Sequence, residues 1–198
     1  YLLAAFDIVT ITASLLLSHE VTKIFNESVA VNTVWASRAS SITNLNLLVT
    51  IANAPGNNVF ENGDVEGERA RFEETFSTFQ SSYETTYREI FENVSQNKTL
   101  LIDNLERSYG AVERLAVEAR AVFNSIENGN SLKAGRHMAT MDRHYAATSK
   151  LLGNISNLVL VQQEELFKTQ LQSAAFYRQF EVVFAIIIGA IILIVTFY

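Results

Sequence analysis

The last 17 residues, VVFAIIIGAIILIVTFY (182–198), carry no charge and almost no polar group. A helix of roughly 17–25 such residues crosses a bilayer. A core helix of a soluble protein would keep a polar stripe, and this segment has none. The sequence therefore predicts a membrane span at 177–198. A second apolar stretch, YLLAAFDIVTITASLLLS (1–18), predicts another, although Asp7, Thr10, Thr12 and Ser14 interrupt it. Because the chain starts at Tyr1, this first span is expected to be truncated. An acidic side chain at membrane depth is costly and usually faces protein, so Asp7 is expected either to mark a contact with another helix or, with the span truncated, to lie near the membrane edge. Both spans imply a bilayer as the chain's environment, with residues 19–176 on one side of it.

That constraint fixes the number of turns between the spans. Heptad seams are countable along most of the chain. The first runs Leu17, Val21, Ile24, Ser28, Val31, Trp35, Arg38, Ile42, Leu45, Val49, Ala52. The second runs Phe72, Phe76, Phe79, Tyr83, Tyr87, Ile90, Val94, and the third runs from Leu101 through Leu105, Ser108, Val112 and Leu115 to Ile126. The last runs from Met138 through Met141, Tyr145, Thr148, Leu152, Ile155 and Val159 to Leu166. Two strong breaks interrupt these seams: NAPGNNVFENGD (53–64), which holds the only proline, and ENGN (127–130). Pro55 is expected to end the first helix, with Gly56 taking a left-handed turn and Asp64 capping the next helix. Gly129 is expected to close the third helix.

Two breaks would leave the chain's end far from the membrane that residues 182–198 require. A third turn is therefore expected in the polar run SQNKT (95–99), with Thr99 as N-cap. The predicted fold is all-α: an antiparallel up-down-up-down four-helix bundle over 19–176, flanked by two transmembrane helices, with turns near 55–63, 95–99 and 127–130.

The chemistry visible in the sequence is that of binding rather than catalysis. No nucleophile motif, phosphate-cradling glycine loop or zinc-protease pattern occurs, so the chain is read as a non-enzyme without a cofactor. A net charge of −6 argues against a nucleic-acid partner. The absence of cysteine excludes disulfides and thiolate metal sites. Of three histidines, His137 and His144 are seven residues apart, about 10.5 Å along a helix, too far to share one metal ion. Lys133, Arg136, His137, Arg143 and His144 make the start of the last helix basic. This is either a solvated face that pairs with neighbouring carboxylates or a patch for a small anion, whose carboxylate would suit bidentate arginine contacts. Arg38 occupies a seam position that is otherwise apolar or small and requires a partner, either a carboxylate within the bundle or a bound ligand. The Phe72–Tyr87 stripe is read as core.

Two spans around a four-helix bundle, the APGNNVF turn, the MDRHYAATSKLL run (141–152) and QQEELFKTQLQSA before the second span together resemble a known class. That class is the extracytoplasmic sensor region of bacterial chemoreceptors (methyl-accepting chemotaxis proteins) and sensor histidine kinases. The resemblance implies a homodimeric or higher homo-oligomeric receptor in the inner membrane. Its bundle would face the periplasm, sensing a small ligand or a partner protein. It also implies an output module beyond Tyr198, reached through a HAMP linker. The competing expectation is an accessory subunit whose bundle docks on a larger membrane complex.

Overall fold

The computed structural model describes the backbone of residues 2–197 and the side chains of residues 9–194 and Phe197. The chain is all-helical. Four helices follow one another: α1 (Leu2–Asn62), α2 (Val65–Asn93), α3 (Lys98–Glu127) and α4 (Ser131–Phe197). No strand occurs among the described residues.

The three turns have distinct chemistry. At the first, the expectation that Pro55 ends α1 is overturned: α1 continues through Pro55 to Asn62. Proline removes one backbone donor and ordinarily costs about 3 kcal/mol within a helix. Here Pro55, Gly56 and Val59 are buried, so packing of the last two turns opposes that cost. Nor does Gly56 make a left-handed turn. A Cβ at this position would lie 2.5 Å from Met141 Cε, so the glycine permits α1 and α4 to approach closely. The left-handed residue is Gly63, with φ +71°. Asp64 then caps α2 as expected, its Oδ1 accepting from the Gly67 amide at 2.9 Å.

The weakly signalled second turn is present at 94–97. Its geometry differs from the expectation that Thr99 caps α3. Asn97 is the residue before the helix, in the left-handed region at φ 56°, and its side chain makes no cap bond. Asparagine tolerates this conformation better than most side chains. At the third turn Gly129 has φ +69°, and Asn130 Oδ1 accepts from the Lys133 amide at 3.0 Å.

Residues 36–160 form one compact unit, and residues 1–35 with 161–198 form another. Within 36–160, cross-links between helices show their directions. Arg69 pairs with Glu127, Arg120 with Glu73, Gln80 with Tyr109 and Tyr87 with Glu106, so α2 and α3 are antiparallel. Asn53 bonds Asp142 and Thr50 bonds Tyr145, so α1 and α4 are antiparallel too. The seams supply the core. Ile42, Leu45, Phe72, Phe79, Ile90, Leu101, Leu105, Leu115, Met141, Leu152 and Ile155 are all fully buried. Each such side chain contributes about 1.5–3 kcal/mol by leaving water. The stripe read as core splits, since Phe72, Phe76, Phe79 and Tyr83 are buried whereas Tyr87 is half-buried.

In the other unit, Gln163 of α4 donates to Asn32 of α1. An apolar cleft is lined by Ala13, Leu16 and Leu17 from α1 and by Phe180 and Phe184 from α4, with Glu20 beside them. Among the described residues, one helical stretch is long and apolar enough to cross a membrane, and it belongs to α4. None of it is buried within the chain: Val182, Val183, Ile186, Leu193 and Ile194 are all exposed. The expected first span (1–18) includes eight residues whose side chains lie outside the described ones, Asp7 among them. The described part of α1 contains no further stretch of this kind.

Two outcomes test this description. Asn97→Val should lower the unfolding free energy by about 1 kcal/mol, because a β-branched residue resists the left-handed conformation. Thr99→Ala should leave it nearly unchanged, and denaturant midpoints of the detergent-solubilised chain measure both. The second concerns the Arg120–Glu73 pair, bidentate at 2.7 Å. The Arg120 hydrogen bond holds the Glu73 carboxyl below its usual 4.5. A depressed carboxyl stabilises the fold above the unfolded value, and this contribution is lost as pH falls through the folded one. Carboxyl-resolved NMR titration should therefore place Glu73 below 4.5 in the native chain, and Arg120→Ala should raise it.

Candidate functional site

The basic start of α4 is the first place to look for a ligand, and the structure divides it. His137 turns towards α3, where its Nδ1 meets Glu118 Oε2 at 2.6 Å, both side chains being about a quarter exposed. Arg136 is exposed and makes no ion pair among the described residues. Arg143 is also exposed and donates to Thr140 Oγ1, one turn back on its own helix, at 2.9 Å. His144 is half-buried. The patch is thus a face of α4 with one member tied across to a carboxylate, and its two arginines face solvent rather than a shared centre.

A polar cleft of about 350 Å³ adjoins His137. It is lined by Ala121, Asn124, Ser125 and Asn128 at the end of α3, with Asn130, Lys133 and His137 from the turn and α4. The turn sequence builds it. Gly129 reverses the chain tightly, and Asn130 is held by capping Lys133. Three asparagines and a lysine offer donors and acceptors, which suits a small polar ligand. Of the basic patch at the start of α4, the cleft takes in Lys133 and His137. It does not include Arg136, Arg143 or His144.

Arg38 is elsewhere. Its side chain is 6% exposed, and its Nε donates to Glu89 at 2.9 Å while Nη2 donates to the Asn93 carbonyl at 3.4 Å. These partners lie at the α2–α3 turn. His137 lies just beyond the α3–α4 turn. The 30 residues of α3, about 45 Å of helix, separate the two. Arg38 and the α4 patch therefore form no common site, and Arg38 is answered by a carboxylate of the same unit.

Two features escaped the sequence reading. Glu68 lies in the first turn of α2, where a carboxylate reads as a favourable charge at the positive end of the helix, yet its side chain is 1% exposed. Its Oε1 accepts from Asn62 at 2.8 Å and Arg71 at 3.0 Å, while its buried Oε2 has no hydrogen-bond partner among the described residues. The signal was indirect: Asn62 and Arg71 flank it at distances that a turn between helices brings within reach. The second feature is a groove of about 420 Å³ lined by Tyr83, Glu84, Tyr87, Arg88, Phe91 and Glu106. Its rings follow one another along α2, with centroids 5.9 Å apart for Tyr83–Tyr87 and 6.1 Å for Tyr87–Phe91. Spacing gives it away, because steps of four drift about 40° per step around a helix. Tyr83, Tyr87 and Phe91 thus walk from the core to the surface, while Ile90 keeps the seam. Burial first, and then the charge of Glu106, push the Tyr83 hydroxyl well above its usual range. The Tyr87 hydroxyl is raised by its hydrogen bond to Glu106.

Arg38 offers a direct test of structural against ligand-binding use. Glu89→Ala should cost about 2 kcal/mol of stability in denaturant unfolding, since it removes the carboxylate that faces a buried guanidinium. Arg38→Met should cost less, because an apolar side chain of similar length needs no partner there.

Comparison with protein-family models, with curated proteins and with solved structures finds no match for this chain.

Proposed function

We propose that the chain is the sensor module of a membrane receptor, a non-enzymatic signal transducer. On this reading the antiparallel helices of the extracytoplasmic part form an up-down-up-down four-helix bundle. Both α1 and α4 enter the inner membrane of a bacterial cell, with the bundle in the periplasm. The observation that carries the reading is the continuity of α4. It is a single helix of 67 residues, running from the polar cleft through the whole of its apolar stretch. Gly135, Gly153 and Gly189 interrupt neither its hydrogen bonding nor its course as one element. A helix without a break passes on axial displacement or rotation instead of absorbing it. Packed interfaces have discrete alternatives, so a shift of about 1–2 Å is enough to bias a switch.

The polar cleft at the α3–α4 turn is where a small anion or a partner protein would act. It is built partly from the first residues of α4, so an occupant bears directly on the transmitting helix. The receptor works as a homodimer or higher homo-oligomer, in which α1 segments meet across the membrane. The exposed rings of Phe176 and Phe180, with Tyr177 edge-on to Phe176 at 5.9 Å, form an aromatic girdle. Such girdles sit at the headgroup level and fix the depth of a span. Arg178 is the charged member of the group.

The girdle is the handle for the experiment. The chain is fused after residue 198 to a kinase output module, and Tyr177 and Phe180 are moved together by one or two positions along α4. Each shift should reset the depth of the span and change kinase output stepwise while the helical circular-dichroism signal is retained. A flat output across the series with the fold intact would make α4 a tether. It would favour an accessory subunit docked on a larger complex.

A further inference from the structure

The aromatic groove on α2 and α3 is separate from the polar cleft and has a different chemistry. We propose that it is a binding site for a small organic cation, an alkylated ammonium held on the faces of Tyr87 and Phe91 and balanced by Glu106 and Glu84.

Four observations support this assignment. First, the outer walls are π surfaces partly open to solvent, Phe91 being half exposed and Tyr87 half-buried. The negative face of an aromatic ring attracts an ammonium, and alkylation of the nitrogen suits an apolar wall. Second, the chain already places an ammonium there: Lys98 Nζ stands 4.0 Å from the centroid of Phe91. Third, the carboxylates are available. Glu106 Oε1 accepts from the Tyr87 hydroxyl at 3.0 Å, which orients the carboxylate beside the ring. Glu84 makes no ion pair among the described residues and lies on the same wall. Two acidic groups thus face Arg88 of the lining, which is exposed, and the Lys98 ammonium that occupies the Phe91 face. Fourth, the site is rigid where it matters. Tyr83 anchors the inner end, packed against Tyr109 at 4.5 Å, and Tyr109 in turn accepts from Gln80 at 3.2 Å.

The volume of about 420 Å³ admits a ligand the size of choline with room for solvent. Neutral apolar molecules gain only the wall contacts. Anions meet Glu84 and Glu106. A trimethylammonium group gains both the wall and the charge, which makes its selectivity the measurable signature. The claim concerns binding alone and holds whether or not α4 transmits a signal.

The test uses the full chain in nanodiscs of phosphatidylglycerol, with choline chloride as probe, sodium chloride as ionic control and 3,3-dimethylbutan-1-ol as the uncharged isostere. Saturation-transfer NMR should show transfer to the choline methyls that saturates with concentration, and much weaker transfer to the isostere. Phe91→Ala should weaken choline binding about threefold or more, as expected for loss of one exposed cation–π contact. Glu106→Gln should weaken it without changing the isostere's response. Lys98→Met should tighten choline binding, because it removes a competing ammonium from the Phe91 face. A switch to phosphatidylcholine discs separates two sources of the same chemistry. Loss of the free-choline signal would assign the site to a lipid headgroup, and retention would assign it to a soluble amine. Equal binding of choline and its isostere would overturn the proposal, as would no saturable choline signal in the wild-type chain, or unchanged or weaker binding in Lys98→Met.

Discussion

An apolar helical surface that the chain itself does not cover dictates much of this architecture. Among the described residues the uncharged stretch of α4 leaves Val182, Val183, Ile186, Leu193 and Ile194 exposed, and its length and composition are those of a helix able to cross a membrane. Inside a bilayer each backbone amide must bond within its own segment, and an unbroken helix is the simple solution. The same rule favours α4 as one element of 67 residues. Every turn then has to fall between the apolar stretches, where water or side chains can satisfy the freed groups. All three turns do so. Each uses a left-handed residue, Gly63, Asn97 or Gly129, to reverse the chain within a few positions.

The turns show how far local sequence reasoning reaches. The arithmetic of an all-helical chain returning to its membrane called for a turn near 95–99, and one lies at 94–97 although no glycine or proline marks it. The same reasoning misplaced the first turn by relying on Pro55. Proline's cost inside a helix, a lost hydrogen bond and a ring clash, can be offset where the following turn packs well. Pro55, Gly56 and Val59 lie against the core, and Gly56 lets Met141 come close. A better signal stood a few residues on. Glu61-Asn62-Gly63-Asp64 and Glu127-Asn128-Gly129-Asn130 are nearly the same tetrapeptide, and both end a helix. In each, glycine takes the positive φ and the next residue caps the following helix through its side-chain oxygen. A repeated short-range pattern outweighed a single breaker.

Burial was the more legible property for apolar residues and the less legible for charged ones. The seam counts place Ile42, Leu45, Leu105, Leu152 and Ile155 correctly in the core, because a period of alternating threes and fours has few other physical meanings. Arg38 at a seam position demanded a partner, but only the fold could show that Glu89 answers it from α2. Glu68 is harder still. A glutamate in the first turn of a helix reads as a favourable charge at the positive end. Its burial depends on where α1 ends, and that had been misjudged. The candidate ligand residues part company for a related reason. Position along α4 groups Arg136, His137, Arg143 and His144, whereas their direction around the helix separates the exposed arginines from the histidine facing α3.

The chain uses one device for opposite ends. Where aromatic residues step by three and four they stay on the seam and become core, as from Phe72 to Tyr83. Where they step by four and four they rotate out of it, as from Tyr83 through Tyr87 to Phe91. The rotation carries a continuous ladder of rings from a dry interior to solvent. Its inner members are fixed by packing, and its outer members are presented beside Glu106 and Lys98. Exposed rings cost solvation unless something covers them, and Lys98 already covers part of Phe91. A surface that recruits its own ammonium is chemically disposed to accept another. Such a surface is anchored to the core through Tyr83 and Tyr109, so an occupant is felt by the packing between α2 and α3 and not only by the side chains it touches.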